Sequence, residues 1–66
     1  MMLGVNGARV ESRGDGTALA LLAELGAIPE HSALTVNGDL VVSRRWSTFQ
    51  LSDGDVVEVL TFVGGG

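Results

Sequence analysis

A chain of 66 residues has room for one domain, and a domain of this size buries only about 60% of the surface its unfolded form exposes. With 45% hydrophobic and 18% charged residues the composition is that of a globular chain and not a disordered one, and the absence of cysteine excludes a disulfide frame, a thiolate nucleophile and a thiolate metal site. The net charge is −4, lysine is absent, and the only bases besides one histidine are Arg9, Arg13, Arg44 and Arg45, scattered without a basic stripe. Nucleic acid and anionic membrane surfaces are poor partners for such a chain, and a basic protein surface is a good one.

The longest apolar run, residues 18–23, falls far short of the roughly 20 residues that span a bilayer. The start, Met1-Met2-Leu3-Gly4-Val5-Asn6, has neither the basic opening nor the long apolar core of a secretory signal, so a cytoplasmic location is expected.

In chain order, the dipeptides Asn6-Gly7 and Asn37-Gly38 each sit between β-prone stretches. Both residue types tolerate the positive φ of a type I′ turn, which predicts hairpins joining residues 2–5 to 8–12 and residues 33–36 to 40–42. Arg13-Gly14-Asp15-Gly16 reads as a loop, and residues 17–25 as a helix. Ala18, Leu21, Leu22 and Leu25 follow the i, i+3, i+4, i+7 spacing of one apolar face, which should cover a sheet. Thr17 or Asp15 suits the N-cap, Gly26 the left-handed position past the C-terminus, and Pro29 bars continuation. Residues 43–48 form an irregular or single-turn connector in which Trp46 is expected to anchor the edge of the core, with partner binding as the other reading. A short strand is expected at 49–51, a turn at Asp53-Gly54, and a central strand at 56–63, where nearly every residue is apolar or β-branched. The whole is an α+β domain, a mixed four- to five-stranded sheet with one main helix packed on one face.

Catalytic chemistry finds little to work with. An enzyme needs a nucleophile, a base and an orienting group together. His31 is the lone imidazole, placed in a solvated Pro-Glu-His-Ser loop, and Asp53 and Asp55 flank Gly54 as turn residues do. No catalytic residue and no metal ligand set is assigned. Gly14-Asp15-Gly16 lacks the remaining pattern of a phosphate cradle, and Arg13-Gly14-Asp15 matches an adhesion tripeptide by chance.

Gly64-Gly65-Gly66 is another matter. Three glycines after a strand do nothing for packing and raise the entropy cost of order. Either they are a frayed terminus or cloning scar, or they have a use. Extended at roughly 3.3–3.6 Å per residue, they carry the final carboxylate about 10 Å past the strand on a filament slim enough to thread a narrow tunnel.

Val36-Asn37-Gly38-Asp39-Leu40-Val41, then Arg45-Trp46, then the stretch from Asp53 to Gly66 ending Thr61-Phe62-Val63-Gly64-Gly65-Gly66 closely resemble the sulfur-carrier proteins of thiamine biosynthesis, the ThiS family. The likeness extends to length and layout over the whole chain and is specific over roughly its last thirty residues. One departure is Val42-Ser43, where the family commonly has proline. The resemblance implies the ubiquitin-like β-grasp fold, with residues 1–63 as the domain and 64–66 as a flexible tail. It implies that an adenylating enzyme akin to ubiquitin activators uses ATP and Mg²⁺ to adenylate Gly66, and that sulfur from a cysteine desulfurase relay replaces AMP to leave a thiocarboxylate. It also implies delivery of that sulfur to thiazole synthase. Gly66 is then the attachment point, and Gly64 and Gly65 are the threading arm. The chain itself would be no enzyme, would bind no cofactor and would be a monomer when free.

Alternation along the last strand separates Val57, Val59 and Thr61 from Glu58, Leu60 and Phe62. If the helix covers the first set, the second, with Val63, is a candidate docking face; otherwise Phe62 packs under a loop as core. Three rivals share the layout or part of it: the small subunit of molybdopterin synthase, a ubiquitin-like modifier of target lysines, and a plain interaction domain that is never activated. Lacking lysine, the chain offers no side-chain amine to an activated copy of itself.

Overall fold

Two Asn-Gly turns frame the sheet in the computed structural model, which describes residues 1–62. Asn6 (φ 50°) and Gly7 (φ 83°), and Asn37 (φ 52°) and Gly38 (φ 87°), hold the paired positive φ values of type I′ turns, whose twist matches that of the strands they join. The first turn closes β1 (Met2–Val5) on β2 (Ala8–Glu11), and the second closes β3 (Ser32–Val36) on β4 (Asp39–Leu40). The remaining strand, β5 (Val56–Thr61), runs between the hairpins, parallel to β1 and antiparallel to β3. The result is a five-stranded mixed sheet in the order β2-β1-β5-β3-β4.

One helix, α1 (Ala18–Glu24), packs on one face of this sheet. Thr17 is its N-cap: the hydroxyl oxygen accepts from the Ala20 N–H at 3.1 Å, while the Asp15 carboxylate accepts from the Thr17 N–H and hydroxyl at 2.9 and 2.7 Å. Both candidate residues therefore take part, one capping and the other holding the cap. At the far end Gly26 has φ 73°, and the N–H groups of Gly26 and Ala27 donate to the carbonyls of Ala23 and Leu22, closing the helix in a Schellman arrangement. Ala18, Leu21 and Leu22 are buried against Leu3, Val5, Leu34, Val36 and Val57 of the sheet. At about 25 cal/mol per Å² of apolar surface removed from water, this layer is the main stabilising term.

The structure departs from expectation in four places. Leu25, assigned to the apolar stripe, is 40% exposed, because the helix has ended at Glu24 and the backbone is already turning into its C-terminal cap. No strand forms at residues 49–51; Gln50 makes one antiparallel bridge to Thr17, and the segment is tied to the loop before the helix by Ala18 N–H to Phe49 O (3.0 Å) and Leu51 N–H to Gly16 O (2.8 Å). The fourth strand stops at Leu40, since Val41 turns its side chain into the core and its carbonyl accepts from Trp46 Nε1 at 2.8 Å. Residues 29–31, read as loop, wind into a short 3₁₀ turn begun by Pro29. The expected end of the last strand at Val63, and Gly64, Gly65 and Gly66, lie outside the described residues.

The connector has a 3₁₀ turn at Ser43–Arg45, and Trp46, 3% exposed, seats beneath it as an edge-of-core anchor. No helix among the described residues is long and apolar enough to cross a membrane.

Candidate functional site

The face of the sheet opposite α1 carries the candidate site. Cross-strand partners share a face, so the register Thr35↔Glu58 and Ala33↔Leu60 on one side of β5, with Thr35↔Leu40 further out, gathers these side chains together on the uncovered side. Leu40 is 66% exposed, Leu60 60% and Val56 58%, and Phe62, one residue past β5, is 56% exposed. A shallow hollow of about 230 Å³ lies among Asn6, Ala33, Thr35, Leu40, Glu58 and Leu60. Its polar contribution is the Glu58 carboxylate, which accepts a long hydrogen bond (3.4 Å) from the Thr35 hydroxyl.

The opposite side chains of β5 behave as the alternation requires. Val57 is fully buried and Val59 packs partly against the core. Thr61 lies on the same side yet is exposed, because α1 ends before reaching it. Glu58 and Leu60 thus share the open face beside Leu40, and Phe62, just past β5, is exposed as well, while Val63 lies outside the described residues. Large exposed apolar side chains gathered on one sheet face are a physical signature of a contact surface. Leu40 and Val56 belong to the same face and were not singled out from sequence. Val56 lies one alternation before Glu58 on the same face, and the position of Leu40 depends on the β3–β4 register, which no local pattern reveals.

β5 is held along its length by the two turn asparagines. The Asn37 side-chain oxygen accepts from the Val56 N–H at 2.9 Å and its Nδ2 donates to Asp55 Oδ1 at 3.0 Å. The Asn6 side-chain oxygen accepts from the Val59 N–H at 2.8 Å and its Nδ2 donates to the Val59 carbonyl at 3.1 Å. At its end, the Phe62 N–H donates to the His31 carbonyl at 2.6 Å.

Several other titratable groups serve structure. Asp55 accepts from the Ser52 N–H at 2.8 Å, the local turn bond expected of the Asp53–Asp55 pair, whereas the Asp53 carboxylate accepts from the Met2 N–H at 2.7 Å and ties the turn to the start of β1. Glu24 Oε1 accepts from the Ser12 hydroxyl and from the N–H groups of Arg13 and Gly14, clamping the loop before α1. His31 is exposed, and among the described residues no group of three His, Asp or Glu side chains is arranged to hold a metal ion. Asp15 is held below its ordinary value by the hydrogen bonds of the Thr17 hydroxyl and N–H.

A mixed sheet with β1 and β5 parallel at its centre, one helix on one face and an open second face defines a ubiquitin-like β-grasp domain. The family model described as "ThiS family" matches residues 3–66, and the chain belongs to the ThiS family. The crystal structure of the thiamine biosynthesis protein ThiS from Geobacter metallireducens superposes with a TM-score of 0.80 at 33% identity, covering 100% of both chains. The solution structure of a thiamine biosynthesis protein from the same organism gives 0.79 at 32% identity, covering 100% of this chain and 88% of that one. The chain is also 33% identical over 66 residues to a protein named thiazole synthase from Paramagnetospirillum magneticum, of whose length it spans 20%.

Proposed function

We propose that this protein is a sulfur carrier for thiazole formation and not an enzyme in its own right. The observation that carries the reading is the family match, which runs through Gly66 and so takes in the three glycines that follow Phe62 and Val63 in the sequence. A carboxylate at neutral pH is an anion and a poor electrophile, so Gly66 has to be activated before it accepts sulfur. An adenylating enzyme supplies ATP and Mg²⁺: the Gly66 carboxylate attacks the α-phosphorus, pyrophosphate leaves, and an acyl adenylate results. The terminal sulfur of a persulfide on the cysteine desulfurase relay then attacks the acyl carbon and displaces AMP, and a second thiol of the relay cleaves the resulting acyl disulfide, leaving the thiocarboxylate on Gly66 and a disulfide on the relay. Gly64 and Gly65 are the side-chain-free arm that carries it into each partner's site, and the partners hold nucleotide, metal and catalytic groups.

The exposed strip of Glu58, Leu60 and Phe62, continued by Val63, is the docking face for those partners. The alignment with one fifth of a thiazole synthase supports thiazole synthase as the acceptor, and the ThiS likeness favours it over molybdopterin synthase. The decisive experiment is intact mass measurement of the protein from sulfur-replete cells, with and without reducing-agent treatment. The expected result is the mass gain of one oxygen-to-sulfur exchange on the peptide that ends at Gly66, lost in a variant lacking Gly65 and Gly66. A chain that retains its cellular activity without those residues is a plain interaction domain, and ladders of adducts on other proteins' lysines mark a modifier.

A further inference from the structure

β5 reaches further than the strand beside it. β1 pairs with β5 only through Gly4↔Val56 and Val5↔Val57, after which the chain reverses at the Asn6-Gly7 turn. On the other side the β3 register continues to Ser32↔Thr61, and His31 takes up the Phe62 N–H. From Val59 onward, then, β5 has a main-chain partner on its β3 side and no strand on its β1 side.

Asn6 fills that gap. Its own N–H donates to the Val57 carbonyl at 2.9 Å, and its carboxamide bonds both the N–H and the carbonyl of Val59, at 2.8 and 3.1 Å. A carboxamide has the donor and acceptor of a peptide group, so the side chain reproduces one further rung of the ladder that β1 has left. The positive φ of Asn6 is what lets the backbone turn away while the side chain stays in line with β1. Two residues beyond Val59 is Thr61, whose main chain faces the same vacated side, and then come Phe62 and the tail.

We infer that Asn6 is a positioning residue for the end of β5: by supplying the last rung on its β1 side, at Val59, it fixes the course of the strand toward Thr61 and Phe62. This rests on the carrier reading above. Its mechanism is an entropic one, since a strand held on both sides as far as Val59 needs less ordering when a partner takes hold of the residues beyond it.

The test compares Asn6→Gly with Asn37→Gly. Each keeps a residue able to adopt positive φ and removes one carboxamide from β5, but Asn37 acts at Val56, the end remote from the tail. Amide hydrogen exchange at Val59 should quicken about tenfold in Asn6→Gly, the loss of two hydrogen bonds, and hold steady in Asn37→Gly. In pyrophosphate exchange catalysed by the E1-like adenylating enzyme from the same source, Asn6→Gly should raise KM for the carrier by a similar factor with kcat unchanged, and Asn37→Gly should not. If Asn6→Gly does not fold, Asn6→Asp, which keeps the acceptor and loses the donor, should show the same KM shift in smaller measure. Active wild type with Asn6 variants of unaltered KM, or with the two glycine variants indistinguishable, overturns the inference alone. A wild type that drives no exchange overturns the carrier reading, and this inference with it.

Discussion

Trp46 illustrates what a single side chain contributes in a domain this small. Its ring is buried beneath the connector and its Nε1–H reaches the carbonyl of Val41, so packing and a hydrogen bond coincide at one residue. Replacing it with phenylalanine keeps most of the apolar area and leaves the Val41 carbonyl without its donor. The expected cost is about 1–3 kcal/mol, read from the urea midpoint with an unchanged slope. Asp15 gives a pH-dependent counterpart. Its carboxylate, held below 3.8 by Thr17, favours the folded state at every pH above that unfolded value. The contribution should fade as pH falls from there through the folded value, so the stability difference between wild type and Asp15→Ala, followed by thermal unfolding, should shrink in acid; a difference constant down to pH of about 2 would contradict the assignment. Asp15 and Thr17 were recognisable from sequence because capping is local. Leu25 was misplaced because i, i+7 spacing presumes a helix that continues, and this one ends a residue short.

Among elements, α1 and the loop before it form one unit. Glu24 reaches back to the N–H groups of Arg13 and Gly14, and a Cβ built on Gly14 would lie 2.8 Å from Glu24 Oε1 and 3.0 Å from the Cβ of Ala20. The helix backbone cannot retreat without disturbing the core, and the carboxylate cannot swing aside without giving up its donors. Gly14→Ala should therefore destabilise by about 1–3 kcal/mol, measured by thermal denaturation, and a neutral result would mean that the loop is looser than its hydrogen bonds imply. The strands were legible where turn chemistry marks them: Asn6-Gly7 and Asn37-Gly38 locate both hairpins to within a residue or two. They were illegible where tertiary contacts decide. Phe49, Gln50 and Leu51 have the composition of a strand but make a single bridge, to Thr17, and Val41 keeps its N–H on the Leu34 carbonyl while giving its own carbonyl to Trp46.

For the molecule as a whole, coverage of only one sheet face is what creates the candidate site. The alternation in β5 was plain in the sequence, yet which set lies outside follows only once α1 is seen on the side of Val57. The glycine run stood out in the sequence by its lack of any packing use, and only the resemblance assigned it a carrier role, since residues without side chains have no periodicity to read. Leu60→Asp puts a charge on an already solvated site and should change stability by no more than about 0.5 kcal/mol. Against the adenylating enzyme it should weaken association about tenfold or more, measured by calorimetry, and unchanged binding would move the docking face elsewhere.

The placement of β5 has a mechanical corollary. A pull applied beyond Phe62 runs along a strand flanked by one parallel and one antiparallel neighbour, so it loads both rows of bonds in shear at once instead of peeling them singly from an edge. An enzyme that grips the end of the chain is thus tugging on the keel of the hull, and the vessel follows whole.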